Sequence, residues 1–190
     1  AIEYNYTLRR MDLARNDLSR ECATCVAHAL LENPCLVAFN FERNSFDAGA
    51  ADQLATRLAT DGQIKFRHLR RNHVSWTGAV RFAAALETNI GLLHLDLGYN
   101  GAGSCGPVAG RALASAIEKN ENLRHLDLEG NELGPESGVA LATAITRNNT
   151  LRYLNVRNNR FDARTGEKWL AGVTANLGLM EICFSVVEIG

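Results

Sequence analysis

Residues 123–133 read Leu-Arg-His-Leu-Asp-Leu-Glu-Gly-Asn-Glu-Leu, and residues 151–161 read Leu-Arg-Tyr-Leu-Asn-Val-Arg-Asn-Asn-Arg-Phe. Both fit the pattern LxxLxLxxNxL. Working outward from these copies, the first apolar position recurs at Leu8, Leu36, Ile64, Leu92, Leu123, Leu151 and Leu179, at steps of 28, 28, 28, 31, 28 and 28 residues. The asparagine falls at Asn16, Asn44, Asn72, Asn100, Asn131 and Asn159, with Val187 in the seventh copy. A fixed period of this length marks an array of stacked supersecondary units. The chain reads as one array over residues 1–190, its units starting near residues 8, 36, 64, 92, 123, 151 and 179.

Each column has a physical reason. The LxL alternation sends every second side chain into a core and its neighbours outward, as a strand requires. The asparagine stands where the chain leaves the strand, and its amide can both donate to and accept from turn backbone that would otherwise be buried unpaired. Ser19, Asp47, Ser75, Gly134 and Asp162 share one column and predict helix N-caps. Apolar columns through Val26, Leu54, Phe82, Leu113, Leu141 and Trp169, and four residues later through Leu30, Leu58, Leu86, Ile117, Ile145 and Val173, give each helix one buried face. A small-residue column (Ala23, Ala51, Ala79, Gly110, Gly138, Gly166) predicts close helix-to-strand approach, and Asn33, Asp61, Asn89, Asn120, Asn148 and Asn176 predict left-handed C-caps.

These columns resemble the ribonuclease-inhibitor-like class of leucine-rich repeats, and the run Gly134–Ala142 is most similar to repeats of NOD-like receptors. The resemblance covers essentially the whole chain. It implies an α/β leucine-rich-repeat solenoid, a curved horseshoe with about seven parallel strands on its concave face and α-helices on its convex face. The class includes inhibitors, sensors, actin-capping domains and a Ran-directed GTPase-activating protein, so it implies no shared activity. Ile2–Leu8 aligns without gaps on Ile117–Leu123, and no helical pattern follows Leu179. The expectation is a window from a longer array, since exposed array ends usually carry polar caps.

Composition excludes several classes. Twenty Lys and Arg balance 21 Asp and Glu in 190 residues, which argues against a general nucleic-acid binder or a polybasic membrane-surface protein. No run of apolar residues is long enough to span a bilayer, and residues 1–6 do not read as a secretory signal. The five cysteines (Cys22, Cys25, Cys35, Cys105, Cys183) are odd in number and scattered. They point to a reducing, intracellular, cytoplasmic setting.

Functional candidates lie on the outward strand columns. One gathers Phe66, His94, His125 and Tyr153 into an aromatic strip; the next carries His68, Asp96, Asp127 and Asn155; a third carries Arg70, Glu129 and Arg157. Aromatic anchors among mixed charges suit a protein-binding hot spot. His94-x-Asp96 and His125-x-Asp127 have metal-ligand chemistry, but Leu-Asp-Leu is commonplace in such repeats and an open face leaves water competing. Neither metal nor cofactor is expected.

Between Asp61 and Glu87 lie Lys65, Arg67, Arg70, Arg71 and Arg81 with no acid, a local basic patch that the strand-exit column Arg15, Arg43 and Arg71 extends. Arg67 occupies a core position, so either the strand is distorted or the guanidinium finds a carboxylate. The 31-residue unit adds three residues after Tyr99, expected as a mobile protrusion on the rim. Its Gly101, Gly103 and Gly106 spacing lacks the strand, helix and acidic partner of a dinucleotide site. The expected function is a non-enzymatic scaffold that binds a protein partner through the concave face and rim. The alternatives are a sensor or regulatory region of a larger multidomain protein, of the innate-immune receptor or effector type, and a Ran-directed GTPase-activating role.

Overall fold

The computed structural model describes residues 2–186, so Val187 of the asparagine column lies outside the described residues. The chain alternates short strands and helices: β1 (Arg10–Asp12), α1 (Arg20–Glu32), β2 (Ala38–Asn40), α2 (Ala48–Thr60), β3 (Phe66–His68), α3 (Ser75–Thr88), β4 (His94–Asp96), α4 (Val108–Lys119), β5 (His125–Asp127), α5 (Pro135–Ile145), β6 (Tyr153–Asn155), α6 (Ala163–Ala175) and β7 (Glu181–Cys183). The strands form one parallel sheet in sequence order. Each helix packs against its sequence neighbours on the outer side, the arrangement of an α/β leucine-rich-repeat solenoid. The pairing joins equivalent residues throughout, including His94 with His125 across the longer unit. The three extra residues are absorbed between β4 and α4 without a register slip.

In every strand the middle residue points inward. Phe39, Leu95, Leu126 and Leu154 meet the helix columns of Leu54, Phe82, Leu113, Leu141 and Trp169 in one continuous core. Arg67 takes the same inward position in β3 and is fully buried. Neither expectation for it holds. β3 keeps its register with Phe66 outward. The guanidinium donates from Nη1 to the α2 carbonyl of Leu54 (2.8 Å) and lies 5.0 Å from the Phe39 ring centroid. Burial pushes its pKa down to about 9, opposed by Asp61 and reinforced by Arg57, and Nε and Nη2 are buried without a hydrogen-bond partner.

Two asparagine ladders satisfy the turns. In the first, at the strand exits, Asn72 accepts from the backbone N–H of Asn44 (3.2 Å) and Phe46 (3.0 Å), and donates to the carbonyls of Phe41 (2.9 Å) and Leu69 (3.0 Å). Asn44, Asn100, Asn131 and Asn159 repeat this linkage to one or both neighbouring turns. Asn16, exposed, reaches only the carbonyl of Ala14 within its own turn among the described residues. The second ladder uses the residues expected as left-handed C-caps. Asn33, Asp61, Asn89, Asn120 and Asn176 have extended backbone instead. What the column supplies is its side chains: Asn89 donates to Leu58 (2.6 Å) and Asp61 (2.8 Å) carbonyls one unit back and accepts from the N–H of Gly91 and Leu92.

Asp61 has no amide to donate, and Arg57 stands in for it. Its Nε donates to Asp61 Oδ2 (2.8 Å) while Nη2 donates to the Asn33 carbonyl (3.1 Å).

The helix signals are met unevenly. Ser19, Asp47 and Asp162 accept from first-turn N–H groups, and Gly134 precedes Pro135 at the helix start. Ser75 instead sits at φ 60° behind Val74 and bonds sideways to Thr77, so α3 starts without a side-chain cap. The small-residue column sets helix–helix rather than helix–strand approach: a Cβ on Gly110 would lie 2.2 Å from Ser137 on α5.

Three substitutions check this account. Asn72→Ala leaves the N–H groups of Asn44 and Phe46 without their acceptor in a buried turn and removes one of two amide donors from the Phe41 and Leu69 carbonyls, and should cost about 3 kcal/mol of unfolding free energy in urea titration. Asn16→Ala should stay within about 0.5 kcal/mol. Arg67→Met, which replaces a partly satisfied buried cation with an apolar chain of similar path, should stabilise by about 1–4 kcal/mol. A loss there would mean that the Phe39 and Leu54 contacts outweigh the desolvation of the guanidinium.

Candidate protein-binding face

The first outward column of the sheet consists of the residues that open each strand: Arg10, Ala38, Phe66, His94, His125, Tyr153 and Glu181. In-register parallel pairing sets equivalent residues about 4.8 Å apart, close to the separation at which rings stack offset. Phe66 and His94 stack with centroids 4.6 Å apart, His94 and His125 at 4.0 Å, and His125 and Tyr153 at 5.7 Å, with interplanar angles of 29°, 13° and 25°. All four are half-buried. Burial lowers the pKa of His94, helped by His125 and His68. Burial, then Asp127, Cys183 and Glu181, push Tyr153 up to about 12. Both are therefore uncharged at neutral pH.

Beside the rings runs a polar row that sequence order does not disclose. Arg70 leaves β3, crosses β4 and reaches β5: Nη2 meets Glu129 at 2.6 Å, and Nη1 lies 3.5 Å from Asp127 and 3.9 Å from Asp96. The path runs over Gly98, where a Cβ would stand 2.5 Å from Arg70 Nη1. Burial works against the charge on Arg70, but Glu129, Asp127 and Asp96 outweigh it and raise its pKa. Glu129 resists its own desolvation through Arg70, Tyr99 and Asn158 and titrates below the usual carboxylate range. Asp127 titrates above that range, chiefly through burial and also through Asp96. Asn155 donates to Asp127 (3.0 Å) and Glu129 (3.3 Å), completing the network.

The basic patch expected in the third unit is consequently divided up. Arg70 is clasped by carboxylates from later units, Arg81 pairs with Asp52 (3.0 Å), and Arg67 is in the core. On the strand-exit rim, Arg15 and Arg43 both lie near Glu42, at 3.7 and 3.6 Å. Arg71 has no carboxylate within 4 Å among the described residues; it lies 4.9 Å from the Tyr99 ring centroid, with Arg70 4.8 Å from the same ring. Arg157 is exposed and has no carboxylate within 4 Å among the described residues.

Tyr99 donates to Glu129 (3.0 Å) and accepts from Asn158 (3.1 Å). Asn158 was missed as a site residue, although it occupies the same column as Arg15, Arg43, Arg71 and Tyr99. All five have left-handed backbone, with φ between 54° and 59°. The column of Arg9, Arg124 and Arg152 at the strand entries was also missed, and each donates to the carbonyl of the residue just before the next unit begins. The loop after Tyr99 is tied to its neighbour through Gly103 N–H and the Asn131 carbonyl (2.7 Å), with Ala102 buried, so it is anchored rather than a free protrusion.

His68 and His94 shift oppositely. His68 lies 3.9 Å from Asp96, an electrostatic contact longer than a hydrogen bond, and this carboxylate raises its pKa, with Glu42 and Asp12 adding to the effect. The stability His68 gains from protonation is full below its unfolded value and is lost as pH rises through the folded one. His94, lowered, contributes in the opposite sense: protonating it at acid pH costs stability. NMR titration of the imidazole carbons should put the His68 midpoint above 6.5 and the His94 midpoint below it. Asp96→Asn should return His68 towards 6.5 and leave Phe66–His94 stacking intact.

The profile of the family described as Leucine Rich repeat matches residues 119–142 and 147–164. A curated relative from Bos taurus, "NACHT, LRR and PYD domains-containing protein 5", is 32% identical over 133 residues, 68% of this chain; that stretch is 12% of the relative's length. Among solved structures, "Leiomodin-1 Actin-Binding Site 2 (ABS2)" superposes with a TM-score of 0.56 over 93% of this chain and 85% of its own, at 17% identity, a likeness of fold. No helix among the described residues is long and apolar enough to cross a membrane. With its unit of 28 residues, its in-register parallel strands and its outer helices, the chain belongs to the leucine-rich-repeat family.

Proposed function

We propose that this array is a non-enzymatic recognition scaffold that holds a protein partner against its concave face and strand-exit rim. The observation that carries the reading is the uninterrupted stack Phe66–His94–His125–Tyr153, uncharged at His94 and Tyr153 and half-exposed. Rigid rings present a large contact area at small entropic cost, and a fixed polar surround keeps water from competing at their edges. The clasp of Arg70 by Asp96, Asp127 and Glu129 pre-orients that surround before any partner arrives. Tyr99 and Arg71 continue the surface onto the rim. Partners are polypeptides on this reading; nucleic acid and membrane do not fit a face whose carboxylates outnumber its free cations. The setting is intracellular.

Similarity to a NACHT, LRR and PYD domain protein favours a second, compatible reading, in which the array is the sensing or regulatory part of a longer multidomain chain. The actin-binding title of the solved neighbour describes that neighbour, and at 17% identity it carries no partner across. A Ran-directed GTPase-activating role rests on class membership alone.

Affinity capture with the full-length protein tests the proposal. Phe66→Ala, His125→Ala and Tyr153→Ala should each weaken retention of a specific partner by about tenfold or more, the usual cost of removing an aromatic anchor. Partners retained equally by all three would remove the strip from the function. None of the three should lower the melting temperature by more than a few degrees, because the side chains stand outside the core.

A further inference from the structure

The ring stack stops at Phe66, and the cause is one residue. Its column continues through Ala38 on β2 and Arg10 on β1. A methyl group at the β2 rung leaves a gap two strand spacings wide, about 9.6 Å, between the Phe66 ring and the Arg10 side chain. Phe66 is stacked against His94 on its β4 side, and its other face opens onto this gap. The gap is a hollow of about 420 Å³ lined by Met11, Ala38 and Phe39 along its floor, Phe66 and Arg10 on its flanks, and Asp12, Asn40 and His68 along its polar side. Asp12 accepts from Asn40 (3.2 Å) through Oδ2 and from the Ala14 N–H (2.9 Å) through Oδ1, which holds the carboxylate in place with lone pairs to spare.

Resting on the concave-face reading above, we propose that this hollow is a specificity pocket for one aromatic side chain of the partner, a tryptophan or tyrosine, which supplies the missing rung. The dimensions and the chemistry agree. A planar group midway between flanks 9.6 Å apart lies about 4.8 Å from each, within the stacking range. Against Phe66 it extends the stack; against Arg10 it receives a guanidinium over its second face, an attraction open to a ring and closed to a cation. A lysine or arginine guest would gain Asp12 but face Arg10 across the hollow. An aliphatic guest would fill the floor and forgo both flanks. An indole N–H or phenol O–H can donate to Asp12, which a phenylalanine guest cannot do.

The test uses the folded chain and small probes: N-acetyl amides of tryptophan, tyrosine, phenylalanine, leucine and arginine, titrated while following the Ala38 methyl and Phe66 ring resonances. The tryptophan and tyrosine amides should shift both signals with millimolar affinity, the leucine and arginine amides at least fivefold more weakly. Ala38→Phe, which builds the rung into the chain, should fold with an unchanged or higher melting temperature and weaken the tryptophan probe at least tenfold. His125→Ala, two strands away, should leave the probe's affinity within twofold.

Equal binding of leucinamide or argininamide, or indifference to Ala38→Phe, overturns the assignment. These outcomes are separable from the fate of the concave-face proposal. A partner that needs His125 and Tyr153 while the probes ignore Ala38→Phe keeps the face and removes the pocket; probes that obey Ala38→Phe while partners ignore the strip do the reverse.

Discussion

A turn that repeats every 28 residues buries its own polar backbone, and this array exists because asparagine amides answer that backbone on both sides of the sheet. One amide at a strand exit can accept from two N–H groups of the preceding turn and donate to a carbonyl of that turn and to one of its own. A second column at the strand entries does the same for the helix ends. Each such side chain joins neighbouring units through groups that water would otherwise have to reach. The spacing between units is thereby fixed by hydrogen-bond length, and the in-register pairing of the strands follows from it.

That register also orders the outward face of the sheet. Equivalent residues come to lie at the spacing of a strand, so any column of flat side chains stacks without further provision. Four rings in sequence yield a rigid strip, and a single alanine in the same column yields a hollow of matching width. The polar row obeys the same logic with an exception at Gly98. Where one strand presents no side chain, an arginine from the strand before can reach a glutamate on the strand after, and the charges of three units merge into one network.

Much of this was legible in the sequence because it is periodic. The anchor leucines, the exit asparagines and the outward columns are arithmetic on the number 28, interrupted once by 31. What was not legible depends on reach. Arg70 stands in an apparent basic patch in the sequence and in an acidic clasp in the molecule, because its partners are 26, 57 and 59 residues away. Asn33 and its equivalents read as left-handed caps, since asparagine tolerates that backbone. They serve instead through side chains directed at the preceding unit. Arg67 offered two outcomes and took a third, using a helix carbonyl and a phenylalanine ring in place of a carboxylate.

The pair Arg57 and Asp61 bears on whether units of such an array are interchangeable parts. An asparagine at the second of these positions carries its own donor and asks nothing of its helix. The aspartate has surrendered that donor to an arginine one helical turn earlier, so neither residue is intelligible without the other. A unit cut at residue 61 and spliced onto a foreign helix would bring an acceptor where a donor is needed. Shuffling, by recombination in a genome or by a protein engineer, therefore has a preferred cut: between β-strand and helix, which keeps the two residues in one inheritance.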